Sequence, residues 1–127
     1  MIINDAATLA EVTAAFERYE RALMQNDLIA LDALFWDSPH TLRYGVGENL
    51  HGIDAIRAFR RNRLGGSPQR ALRHTIITTF GTDLGTANTQ FVRANSPQVG
   101  RQSQTWVRMD EGWRIVAAHV SMVAAFS

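Results

Sequence analysis

The stretch Leu34-Phe-Trp-Asp-Ser-Pro-His-Thr-Leu-Arg43-Tyr-Gly-Val-Gly-Glu-Asn-Leu-His-Gly52-Ile-Asp-Ala-Ile-Arg-Ala-Phe59 decides how the chain is read. Ser38-Pro39 stops a helix, because the residue before a proline is pushed out of the α region. His40 to Tyr44 then reads as a strand, Gly45-Val46-Gly47 as a turn and Glu48 to His51 as a short return strand. Gly52-Ile53-Asp54 opens a new helix. The strand carries one cation, Arg43, on the face of Thr41 and opposite His40 and Leu42. A buried cation without an anion is costly, so Arg43 points to an anion-binding pocket. A structural ion pair with Glu48 or Asp37, or a place at a subunit interface, would also satisfy it.

Upstream, Asn4 or Asp5 can cap a long helix whose apolar residues Leu9, Val12, Phe16, Tyr19 and Leu23 recur at spacings of three and four. Asn26-Asp27 ends it and caps a shorter helix, Leu28 to Phe35. Downstream, the third helix runs to about Arg63, with Ile53 and Ile56 inward and Arg57, Arg60, Arg61 and Arg63 read as a solvated face. From Gln69 the chain is rich in Thr, Val, Ile and aromatic residues and breaks at Gly81-Thr-Asp-Leu-Gly85, Asn95-Ser-Pro97 and Asp110-Glu-Gly112. Four strands of about ten residues in a meander are expected. The order is helix, helix, two short strands, helix, four long strands. Three helices on the concave side of a long curved sheet would enclose a cavity suited to a small molecule.

The 127 residues suit a single domain spanning the whole chain. With 13 basic and 12 acidic residues, the chain lacks the basic excess that nonspecific nucleic-acid binding needs. All the basic residues are arginine, so no lysine is available for Schiff-base chemistry, and no cysteine is available as a nucleophile, a disulfide or a thiolate ligand. His40, His51, His74 and His119 show no metal-binding spacing, and no serine sits in a nucleophile elbow. No cofactor and no metal are expected. No membrane-length apolar run and no leader pattern are visible, so a cytoplasmic protein is expected.

The order of elements, the Phe35-Trp-Asp corner and the closing Gly112-Trp-Arg-Ile-Val-Ala-Ala-His-Val-Ser121 resemble the nuclear transport factor 2-like superfamily of cone-shaped α+β barrels, which includes SnoaL-like proteins. Phe35-Trp-Asp-Ser-Pro-His-Thr, Arg43-Tyr-Gly-Val-Gly-Glu-Asn, Gly52-Ile-Asp-Ala-Ile, Thr78-Thr-Phe-Gly and Gly100-Arg-Gln-Ser-Gln-Thr-Trp106 resemble the AtzH-like family within it. That family is associated with amidases in the catabolism of s-triazines and of oxalurate. Its characterised reaction is a decarboxylating amidohydrolase step on 1,3-dicarboxyurea. The resemblance implies catalytic roles for a helix-1 tyrosine and a strand-1 arginine, which fall on Tyr19 and Arg43. It also implies a small anionic substrate, a homodimer and a functional link to an amidase. A noncatalytic module that binds a ureide or organises an amidase is the alternative.

Each candidate residue also has a plainer reading. Tyr19 lies within an apolar stripe and can be a core tyrosine, or its hydroxyl can enter the cavity. In the last hairpin, a Glu111-Gly112 loop would place Gln104 opposite His119 and Gln102 opposite Ser121, with Gln102, Gln104, Trp106 and His119 on one face. If that face is concave, Gln104 and His119 bind substrate with Trp36; if convex, they line an interface. Ile76, Phe91, Val107 and Val116 are candidates for the core or for a subunit interface.

Overall fold

A computed structural model describes residues 1–124. Helix α1 (Ala6–Gln25) starts at Asp5, whose carboxylate accepts from the Thr8 N–H at 3.1 Å. It ends at Asn26, which takes the left-handed conformation tolerated by asparagine at helix ends. Asp27 caps α2 (Leu28–Leu34) by accepting from the Ala30 N–H at 3.1 Å. Strands β1 (Leu42–Tyr44) and β2 (Asn49–His51) form the corner, and α3 (Ile53–Asn62) follows. Gly52 precedes α3 at φ 88°, a backbone region that favours glycine, and donates to the Thr41 carbonyl at 2.7 Å. The meander is β3 (Ala71–Phe80), β4 (Leu84–Val92), β5 (Gln98–Met109) and β6 (Gly112–Ala124).

The six strands form one sheet in the order β2-β1-β6-β5-β4-β3. Every neighbouring pair is antiparallel except β1 and β6, which run parallel. The fold is the expected α+β arrangement of three helices on a curved, mostly antiparallel sheet. The sheet stays open between its edges, β2 and β3, so the cone is not a closed barrel. Irregularities at Arg73/Ile76 and Thr105/Trp106 bend the long strands.

The buried layer between helices and sheet holds Val12, Phe16, Tyr19, Leu31, Phe35, Ile56, Trp106, Trp113 and Ile115. Two glycines let neighbours come close. A Cβ on Gly85 would meet Val12 at 3.1 Å, so glycine lets α1 lie down on β4. A Cβ on Gly100 would collide with the Phe91 ring, which covers this glycine from the paired strand. Phe91 therefore faces the concave side and is fully buried, whereas Ile76 is exposed and Val107 and Val116 are half-buried.

The last hairpin departs from the sequence expectation. Met109 pairs with Gly112, so the two loop residues are Asp110 and Glu111 rather than Glu111 and Gly112. Trp106 pairs with Ile115 and Thr105 with Ala117, leaving Val116 as an extra residue. Gln104 therefore faces Ala118, and His119 faces Ser103. One bulge residue inverts the face of every later side chain on β6, because the side-chain period of a strand is two.

Candidate anion pocket

The concave side opens into a cleft lined by Tyr19, Leu23, Arg43, Phe59, Arg60, Arg63, Ser67, Arg70, Arg93, Gln102 and Val120. With the side chains as they stand its cavity volume is about 40 Å³, room for a few waters, so a ligand would enter as the arginine side chains move aside. Each wall comes from a different element. Tyr19 arrives because it continues the Val12-Phe16 stripe of α1, and Arg43 because it alternates with Leu42 and Tyr44 on β1.

Tyr19 is buried against Phe35, with ring centroids 6.1 Å apart in an edge-on arrangement. Among the described residues its hydroxyl makes no hydrogen bond, and it is not one of the sealed polar atoms, so it meets the cleft rather than the core. Arg43 lies in the same cleft and donates from Nη1 to Glu48 Oε1 at 2.8 Å. Gly45 makes room for that pair: a Cβ there would collide with the Glu48 carboxylate. The Glu48 pairing, considered above as an alternative to an anion pocket, coexists with the pocket.

Five arginines line the cleft, and three have carboxylates: Arg43 with Glu48, Arg60 with Asp32 at 3.0 Å, and Arg70 with Glu20 at 2.6 Å. Arg63 and Arg93 form no ion pair among the described residues. Their buried Nε atoms have no acceptor either. Burial pushes Arg63 below the ordinary arginine range, and Arg43 and Arg60 push it the same way. Burial, then Arg70, does the same to Arg93. Both remain cationic at neutral pH, since arginine keeps its proton in proteins.

The reading of Arg57, Arg60, Arg61 and Arg63 as a solvated face holds for the exposed Arg61 and the half-exposed Arg57 and fails for Arg60 and Arg63. Arg60 is 5% exposed and lies 5.0 Å over the Phe35 ring, and Arg63 lines the cleft. A sequence signal existed: Ile53, Ile56, Arg60 and Arg63 fall at helical spacing, so the two arginines extend the inward stripe. Arg93 likewise continues the Ala87-Thr89-Phe91 alternation of β4.

The other sequence candidates do not join this cleft. Trp36 lines a separate surface groove with Asp32, Asp37, Arg57, Glu111 and Arg114, and its ring stacks on His40. Gln104 is buried on the concave side, accepting from Trp106 Nε1 at 3.1 Å, but does not line the cleft. His119 is exposed on the convex face beside Tyr44, in a shallow groove with Leu42, Ser103, Thr105 and Ala117. Its placement follows from the bulge at Val116. Among the described residues, no group of three His, Asp or Glu side chains is placed to hold a metal ion, and no helix is long and apolar enough to cross a membrane.

The model of the AtzH-like family matches residues 1–125. The chain belongs to the AtzH-like family. Its fold is shared closely with a DUF3225-family protein of Pectobacterium atrosepticum, 58% identical over 96% of this chain and 95% of that one, with a TM-score of 0.94. A cystatin-like fold protein of Burkholderia xenovorans is 49% identical over 99% of both chains, with a TM-score of 0.96. More distantly, a nuclear transport factor 2-like protein of Salmonella enterica is 24% identical over 96% of this chain and 94% of that one, at a TM-score of 0.69, which speaks to the fold alone. None of the curated proteins matches the chain. In this AtzH-like protein, Tyr19 and Arg43, matched to the family pattern from the sequence, both line the arginine cleft.

Proposed function

We propose that this AtzH-like protein is a small decarboxylating amidohydrolase acting on a carboxylated urea of the 1,3-dicarboxyurea type. The observation that carries the reading is the meeting of Tyr19 and Arg43 in one cationic cleft, with the Tyr19 hydroxyl unpartnered. A planar guanidinium presents two parallel donors to a carboxylate, so Arg43 suits the grip on one end of such a substrate. Glu48 accepts from only one of its terminal nitrogens, leaving donors free for a ligand.

In the proposed step the bond between the substrate nitrogen and its carboxylate carbon breaks. The carbon leaves as carbon dioxide, and the bonding pair stays on nitrogen. Tyr19 delivers a proton from its hydroxyl to that nitrogen, and solvent returns the proton to the phenolate. The surrounding guanidiniums stabilise the phenolate while it lasts.

The test is loss of freshly generated 1,3-dicarboxyurea against its spontaneous rate. Acceleration by the protein that falls about 100-fold or more in both Tyr19→Phe and Arg43→Ala is expected, in line with the usual worth of a positioned proton donor. Full turnover by Tyr19→Phe would remove the donor role. No acceleration by the wild type, with ureide binding retained, would make the protein a binding module instead.

A further inference from the structure

The donors left over in the cleft are not scattered. Arg43 and Arg63 lie over the Phe59 ring, at 5.5 and 5.6 Å from its centroid, and Arg70 and Arg93 over the Phe91 ring, at 4.4 and 5.2 Å. On each aromatic platform one guanidinium has its carboxylate and the other has none. Gln102 adds a third orphan. Arg70 Nη2 donates to its Oε1 at 3.1 Å, and since arginine has no acceptor, this contact fixes the amide orientation. The Gln102 Nε2 is thereby turned away as a pure donor, buried and without a partner, on a side chain only 3% exposed.

Neighbouring unpaired cations repel one another and cost stability, as do buried hydrogen-bond donors left unmade. Of the five sealed side-chain atoms without a partner among the described residues, three belong to Arg63, Arg93 and Gln102, which line one cleft, and all three are donors. With five guanidiniums and three partner carboxylates among the described residues, two of the cleft's positive charges have no ion-pair partner there. We infer that Arg63 and Arg93, assisted by the Gln102 amide, form a second anion grip, so that the cleft selects ligands carrying two anionic groups over singly charged ones. The inference rests on the reading of this cleft as the ligand site. It adds to that reading the residues that would hold the second carboxylate.

Glutarate is a stable probe, because its two carboxylates are separated by three backbone atoms, as in a dicarboxylated urea; butyrate is the same chain without the second charge. Calorimetry on the intact wild type is expected to show glutarate bound about tenfold or more tightly than butyrate, the usual scale of a charge-assisted pair. Arg63→Gln and Arg93→Gln should each weaken glutarate about tenfold and leave butyrate within about twofold. Their melting temperatures should stay level or rise, whereas a merely structural role would lower them. Equal affinity for the two probes, no glutarate binding by the wild type, or unchanged glutarate affinity in the double variant would overturn the grip. The two readings fail separately. Absent turnover with intact glutarate selection removes only the amidohydrolase, and full kcat/KM for 1,3-dicarboxyurea in the double variant removes only the grip.

Discussion

The layer between helices and sheet has two ends built on opposite principles. At one end Phe35, Trp106, Trp113 and Ile115 are buried, and the polar atoms of both tryptophans are satisfied: Trp106 Nε1 donates to Gln104 and Trp113 Nε1 to Glu11. At the other end Arg63, Arg93 and Gln102 hold donors that no acceptor meets. The first end gains from burial of apolar surface. The second gives up part of that gain and keeps a charged interior. A fold can carry such a deficit only if the closed end supplies a surplus. Gln104 Nε2 and Thr79 Oγ1 are sealed without partners too, so what sets the open end apart is its concentration of cationic donors.

The sharpest test of this contrast is Trp106→Ala. The side chain is wholly buried, and its loss should cost about 3–5 kcal/mol, read as a fall in the denaturant midpoint. If Arg93→Gln cost as much, the two ends would not differ in kind. Gly100→Ala probes the boundary between them. The new methyl would strike the Phe91 ring that floors Arg70 and Arg93, so a loss of about 1–3 kcal/mol should accompany weaker glutarate binding. A stability loss with unchanged binding would separate the platform from the grip.

The smallest effect concerns Glu11, at the closed end but on the surface. The Trp113 N–H, at 2.9 Å, and then Arg108 hold its carboxyl below the ordinary value of 4.5. A depressed carboxyl contributes stability above its unfolded-state pKa and loses that contribution as pH falls through the lower folded-state value. Stability should therefore decline below about pH 4.5 in the wild type, and part of that decline should vanish in Glu11→Gln. Parallel pH profiles for the two proteins would show that Glu11 has no share in it.

Much of the fold was legible because its signals are local. The caps at Asp5 and Asp27 and the Arg43 alternation each depend on residues within a turn or a strand of one another, whereas α2 ends at Leu34, ahead of the stop read at Ser38-Pro39. The strand partners were less legible. Val116 adds one residue to β6 and moves His119 to the convex face, and nothing in Ile115-Val116-Ala117 announces a bulge. For Arg60 and Arg63 the helical spacing to Ile53 and Ile56 was present but was outweighed by their charge. A cation at an inward position reads as exposed unless its partner is known. Asp32 lies 28 positions from Arg60, and Glu20 lies 50 from Arg70.

The sequence by itself determined the order of the elements, the apolar stripe of α1 that carries Tyr19, and the alternation that sets Arg43 apart from Leu42 and Tyr44 on its strand, while the face Arg43 takes waited for the tertiary structure. Those properties follow from periodicity, which acts over a few residues. Only the tertiary structure decided which arginines share a cleft, which of them find carboxylates and which do not. That balance of charge depends on contacts between residues far apart in the chain, and these exist only once the sheet's register and the path of each helix across it are set.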